Sequence, residues 1–231
     1  WLIKSLSRHL GAGLNELTLT TNGSQLARYA GLLASSGVAR INVSLDTLDA
    51  AKFKTITRWG DFAQVMAGID EADRAGIKVK INTVALRGVN EDEIEAFARL
   101  TVRQPWNVRF IELMPIANQG EWGAGFPAPT ERFVAVAEIR EHLASLGELL
   151  PVEGLRGNGP AQLCQLPGAL GTLGFISSIS QHFCAACNRL RLTADGWLRP
   201  CLLQEGEINV RQALRDGADL VVEGYEFAPT F

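Results

Sequence analysis

The chain has 231 residues, 47% hydrophobic and 20% charged, enough to bury a core in one large domain or a domain with an appendage. A formal net charge of −3 excludes a global field attracting nucleic acid or an anionic membrane, and no apolar run reaches the roughly 20 residues that span a bilayer. Four cysteines are too few for a disulfide scaffold, and their clustering points to metal in a reducing, cytoplasmic compartment.

"WLIKSLSRHLGAG" starts without Met, and Leu2, Ile3, Leu6 and Leu10 follow helical spacing up to the glycines. Nothing before Trp1 caps this helix, so the expectation is a chain that begins inside a larger domain. Four strands are predicted, at Leu14–Thr20, Arg40–Leu45, Ile77–Val84 and Asn107–Met114. Helical patterns separate them. Ser24–Ser36 stops before Gly37, and Asp61–Ala75 starts at an N-cap aspartate and stops at Gly76. Asn90 with Glu93 reads as a capping box. Alternation of strand and helix at this spacing implies a parallel sheet with right-handed crossovers.

Every second strand position is polar: Thr18 and Thr20; Asn42, Ser44 and Asp46; Lys78, Lys80 and Asn82. Parallel strands covered on both faces are usually continuous apolar runs. One face must therefore meet water, a ligand or a polar lumen, as in a curled barrel wall. Four strands cannot close a barrel, so the sheet needs further strands. After Met114-Pro115 comes a Gly/Pro-rich connection, placing an organisational boundary near 115–130 and two regions, 1–120 and 121–231. Thr130 is expected to cap a helix running to Leu146, and "GPAQLCQLPGALGTLGFISSIS" reads as a hairpin with a Pro-Gly turn.

"FCAACNRLRLTADGWLRPC" (Phe183–Cys201) holds Cys184, Cys187 and Cys201, with Arg189 and Arg191 beside them. Three readings stand at this point. A closed zinc site would use the three thiols with His182, although a His two residues before Cys184 seldom converges on the same ion. A redox pair, Cys184 with Cys187, would leave Cys201 idle. An iron–sulfur cluster would have three thiolate ligands and one open iron. Arg189 and Arg191 share a face of an extended strand, which suits a polyphosphate. Cys164, alone before the turn, reads as a packed thiol.

This motif resembles the second-cluster segment of the GTP 3′,8-cyclase family, the radical S-adenosylmethionine (SAM) enzymes that start molybdenum-cofactor biosynthesis. The resemblance continues upstream through "LTTNGSQL", "RINVSLDTLD", "KVKINTVALRGVNEDE" and "VRFIELMP", in the family's order, over roughly residues 1 to 215. It implies a partial six-stranded α/β barrel, (β/α)6, whose third to sixth strands are the four seen here, followed by a C-terminal cluster-binding segment. It implies Thr20, Lys80, Arg189, Leu190 and Arg191 as GTP contacts, and Ser44 and Met114 as SAM contacts. Cys184, Cys187 and Cys201 would hold a [4Fe-4S] cluster facing the guanine. No catalytic side chain is assigned. The implied reaction is cyclisation of GTP to (8S)-3′,8-cyclo-7,8-dihydroguanosine 5′-triphosphate, with a downstream cyclic pyranopterin monophosphate synthase consuming the product. A homodimer is compatible; nucleic acid and membrane are not implied as partners.

The match departs from the family at both ends. The C-x3-C-x2-C loop for the first cluster, the "GGEP"-type segment and an N-terminal GTP-binding arginine are not in this sequence, and the tail does not finish in Gly-Gly. The expectation is an incomplete copy that does not turn over alone. The competing expectation is a zinc-stabilised nucleotide-binding module.

Overall fold

A computed structural model describes residues 1–114, 129–152, 159–181, 183–184, 187, 189–201 and 206–217. After α1 (Leu2–Ser7), strands and helices alternate: β1 (Leu17–Thr21), α2 (Leu26–Ser35), β2 (Val38–Ser44), α3 (Ala50–Thr57), α4 (Phe62–Arg74), β3 (Lys78–Val84), α5 (Ile94–Arg103) and β4 (Asn107–Ile111). The chain goes on through α6 (Val136–His142), β5 (Leu150–Pro151), β6 (Gln162–Gln165) and β7 (Thr172–Ile176). A smaller unit follows, made of β8 (Arg191–Leu192), β9 (Trp197–Arg199), β10 (Ile208–Asn209) and α7 (Val210–Arg215). Among the described residues no helix is long and apolar enough to cross a membrane.

The large sheet has the order β1-β2-β3-β4-β7-β6-β5, and β1 to β4 pair in parallel as the alternation requires. The predicted hairpin over 159–180 forms, with β6 antiparallel to β7. Its second strand also pairs in parallel with β4, which makes a fifth parallel strand. The apolar run at Thr172–Ile176 is buried on both faces and shows none of the two-residue alternation of its neighbours. One sheet therefore crosses residue 120. This is a mixed α/β architecture, an open seven-stranded sheet with β1 at one edge and β5 at the other.

The apolar positions of the strands form the core. Ile41, Val43, Leu45, Val79, Ile81, Val108 and Phe110 are all buried, packed with Leu26, Val65, Ile69, Phe97 and Ile139 from the helices. Asp61 caps α4 by accepting from the Gln64 N–H at 3.2 Å, as the sequence predicts. The expected capping box at Asn90 and Glu93 does not form. Asn90 instead donates to the Asp46 and Val84 carbonyls and accepts from Leu86 N, while Glu93 accepts from the Thr47 hydroxyl and Leu48 N. Both side chains tie the β2 and β3 ends together rather than closing their own helix. The helix expected from Thr130 starts later, at Val136, where the Glu138 carboxylate accepts from Ala135 N.

Glu112, just past β4, is fully buried and charged. One oxygen accepts from Val136 N at the start of α6 and from the Ser180 hydroxyl. The other accepts from Ile179 N and Ser180 N, each at 2.9 Å, in the turn after β7. Burial alone raises this carboxyl, but the donors from Ser180, Val136 and Ile179 outweigh it and hold the group below its ordinary value.

Glu112→Gln keeps the volume but turns an acceptor into a donor facing N–H groups. The expected loss is about 2–3 kcal/mol in chemical denaturation. A carboxyl held lower in the folded state than in the unfolded chain stabilises at neutral pH, and that contribution vanishes as pH falls through the folded value. The Gln variant should therefore show a shallower acid-side decline in melting temperature. An unchanged slope would remove Glu112 from this role.

Candidate functional site

The "TTNG" turn after β1 is built from local hydrogen bonds. The Thr21 hydroxyl accepts from Gly23 N at 3.1 Å, and Asn22 Oδ1 accepts from Ser24 N at 3.1 Å. Gly23 has φ +79°, and a Cβ there would lie 2.8 Å from Val65 Cγ1, so only glycine fits between the turn and α4. Thr20 is thereby delivered to the polar face of the sheet.

Parallel register then assembles that face in rows. Thr20 pairs with Asn42, Asn42 with Lys80, Lys80 with Asn107, and Asn107 with Thr172. Two residues nearer the carboxyl ends, Ser44 pairs with Asn82, Asn82 with Arg109 and Arg109 with Gly174. Thr20, Ser44 and Lys80, which lie far apart in sequence, share one surface because in-register parallel partners point to the same side. Gly174 makes room for Arg109: a Cβ there would sit 3.1 Å from Arg109 Cγ.

This surface concentrates positive charge. Arg109 donates through Nε to Asn107 Oδ1 at 2.8 Å, and Asn107 donates to the Thr172 hydroxyl at 2.7 Å. Burial first, then Arg40 and Arg189, bring the Arg109 guanidinium down to about 10. Burial, followed by Arg109 and Arg40, lowers the Lys80 ammonium to about 8, opposed by Glu16. Glu16 itself pairs with Arg40 at 2.6 Å, and Arg40 lies two residues nearer the amino end of β2 than Asn42. Cations that repel one another while partly desolvated form a ready receptor for an anion. Asn42 Oδ1 and Asn82 Oδ1, on the same face, are buried without a hydrogen-bond partner.

The carboxyl ends of the strands open into a cleft of about 440 Å³, bordered by Asn22, Ser24, Ser44, Asp46, Thr57 and Trp59. Burial raises the Asp46 carboxyl above its ordinary value against the lowering effect of the Val84 N–H. Met114 is half-buried and lies three residues past β4, at the same end of the sheet as exposed Ser44. That is the end where α/β barrels hold their ligands.

The cysteine segment follows the Glu112-anchored turn. Cys184 is exposed, Cys187 and Cys201 are half-buried, and none of the four cysteines is in a disulfide. Cys187 N donates to the Cys184 carbonyl at 3.0 Å, so one turn presents both thiols. Cys201 lies two residues beyond β9, whose Arg199 pairs with Arg191 of β8. Among the described residues no group of three or more His, Cys, Asp or Glu side chains converges to hold a metal. The donor set, three soft sulfurs with two in one turn, fits a thiolate-bound metal or cluster that draws them together. His182 lies outside the described residues. Cys164 is buried beneath Arg140, whose guanidinium is 3.8 Å from its sulfur and stacks on Phe175.

Of the sequence-predicted nucleotide contacts, Thr20 and Lys80 occupy one row, and Arg189 lies close enough to depress Arg109. Arg189 also stacks over the Phe183 ring at 5.2 Å. Arg191 is half-buried in β8, and Leu190 between them is exposed. Sequence reasoning placed Asn42 on the polar face without a role and assigned none to Arg40, Asn107 or Arg109. The same two-residue alternation points to the other three, since each occupies a polar slot of a predicted strand.

The Molybdenum Cofactor Synthesis C family matches residues 106–223, and the Radical SAM superfamily matches residues 2–101. A GTP 3′,8-cyclase of Pelotomaculum thermopropionicum is 50% identical over 208 residues, covering 89% of this chain and 62% of the relative. A GTP 3′,8-cyclase of Paracoccus denitrificans is 46% identical over 216 residues, covering 94% of this chain and 61% of the relative. The chain thus spans about 62% of the length of the curated relatives that it matches. A solved radical SAM methyltransferase from Sphaerobacter thermophilus is 22% identical, with a TM-score of 0.40 over 55% of this chain and 36% of its own.

In NMR of the ligand-free chain, Lys80 is expected to titrate near pH 8 and to move upward when inorganic tripolyphosphate is added. The unfolded chain holds this proton up to its ordinary value of 10.5, so stability should rise with pH between about 8 and 10.5. Lys80→Met should flatten that rise. A Lys80 titration above 10 in the absence of anion would contradict the crowded-cation site.

Proposed function

The chain belongs to the Molybdenum Cofactor Synthesis C family and carries a radical SAM match across β1 to β3; from that membership we propose that it is the nucleotide- and cluster-binding part of a GTP 3′,8-cyclase. The observation that carries this reading is the in-register row Thr20–Asn42–Lys80–Asn107, flanked by Arg109 and Arg189. A lysine lowered to about 8 by burial and neighbouring cations regains its proton's full stability when a polyphosphate arrives. Arg109 and Arg189 supply planar, charge-assisted donors for phosphate oxygens, and Arg191 extends that set along β8.

Cys184, Cys187 and Cys201 would hold a [4Fe-4S] cluster, and Ser44 and Met114 would contact SAM. When bound, the radical SAM group would supply hydrogen-abstraction chemistry at the ribose of GTP in the whole protein. This chain's residues would position the nucleotide between the phosphate-binding cations and the strand ends. The sheet and cation face of residues 1–120 bind nucleotide and SAM, and residues 121–231 bring the cluster. The product passes to a cyclic pyranopterin monophosphate synthase in the cytoplasm. A homodimer fits this reading.

Anaerobic reconstitution with iron and sulfide should give a brown protein with about four irons per chain. Cys201→Ser should lose that colour, and Lys80→Met should weaken GTP binding about tenfold in calorimetry. A colourless protein holding one zinc, or equal affinity for GTP and ATP, would favour a structural zinc module instead.

A further inference from the structure

Two acceptor oxygens sit among the cations with no donor. Asn42 Oδ1 and Asn82 Oδ1 are shielded from solvent and accept no hydrogen bond. The Asn42 amide is oriented by its other end, because Nδ2 donates to the Leu19 carbonyl and to the Thr20 hydroxyl, both at 3.2 Å. Of the two ends of the amide only the NH2 can donate to the Leu19 carbonyl, so turning it over would set two acceptors against each other. Asn42 pairs in register with Thr20 and Lys80, and Asn82 with Ser44 and Arg109. The two asparagines are therefore diagonal neighbours on adjacent strands, roughly 8 Å apart at their backbones. They lie between the phosphate-seeking cations and Ser44 at the mouth of the cleft.

Buried acceptors without donors are rare, and each costs free energy until a donor arrives. A fully ionised phosphate cannot supply one, since its oxygens are acceptors and repel a carbonyl. The neighbouring guanidinium and ammonium groups serve the phosphates. The carbonyls require O–H or N–H. A carboxylate at either position would pair with Lys80 or Arg109 and cancel the field that attracts the phosphates, so a neutral amide is the group that serves both demands.

We propose that Asn42 and Asn82 recognise the nucleoside part of the ligand, each Oδ1 accepting a hydrogen bond from a sugar hydroxyl or base N–H. This rests on the nucleotide-site reading above and deepens it. It separates phosphate capture, by Lys80, Arg109 and Arg189, from selection of what the phosphate is attached to.

Calorimetry on the full chain with GTP, 2′-deoxyGTP, 3′-deoxyGTP, ITP and inorganic tripolyphosphate tests this, with circular dichroism confirming that each variant folds. Asn42→Leu and Asn82→Leu should each weaken GTP about tenfold and leave tripolyphosphate unchanged. Asn82→Asp should weaken both, because it neutralises a cation. The analogue lacking the partner donor should lose the same factor on the unaltered chain and nothing further on the matching Leu variant. The deoxy analogues report a sugar donor, and ITP reports the exocyclic amine. Leu variants that lower GTP and tripolyphosphate equally, or that lower neither, would overturn the inference while leaving the nucleotide site standing. Should a variant fail to fold, the unaltered chain still decides. GTP and all its analogues binding no tighter than tripolyphosphate would overturn the inference. Binding of neither GTP nor tripolyphosphate would remove the site reading and this inference together.

Discussion

Glu112 holds its charge at the end of β4 with both oxygens engaged, by the Val136 N–H of α6 and by the Ile179 and Ser180 groups of the turn after β7. An isolated carboxylate would not remain ionised in that position. Here it accepts from segments 24 to 68 residues away along the chain, so its desolvation is compensated only when all of them are in place. The turn that it grips comes just before Cys184 and Cys187. The thiol segment therefore leaves the sheet from a fixed point, beside the strand whose Arg109 faces the polar row.

The polar face shows the opposite balance. Arg40, Lys80 and Arg109 are drawn together by strand register, and the protein answers with little negative charge beyond Glu16. Asn42 and Asn82 add buried acceptors without donors to the same surface. These are costs that the apolar face must offset, through contacts such as Phe110 stacked on Phe175 and Ile69 and Val65 against the strands. Concentrating unfavourable terms on one surface while the other is well packed is how a fold keeps a binding site ready without losing its structure.

Much of this was legible in the residues taken one at a time. The alternation in "NVSLD" and "KVKIN" separates core from ligand face, and Asp61 marks its helix start, because both depend on neighbours within a few residues. Asn90 and Glu93 misled for the same reason. They have the spacing of a local cap, yet the buried β2–β3 junction offers them stronger partners. The parallel pairing of β7 with β4 was equally hidden, since "TLGFI" is a buried run with no periodicity to say which neighbour it joins. Glu112 looks like any charged strand-end residue until its donors are seen.

The sequence by itself determined the parallel α/β class, the polar character of one sheet face, the three-thiol motif and the family to which these belong. Those properties are encoded in residue type and short spacing. Tertiary structure alone decided that Lys80 faces Asn42 and Asn107, that Arg189 comes near Arg109, and that two asparagine oxygens are left without donors. Each of these depends on register between strands separated by dozens of residues. A slip of one residue would turn every such side chain to the other face, and nothing local in the chain forbids it.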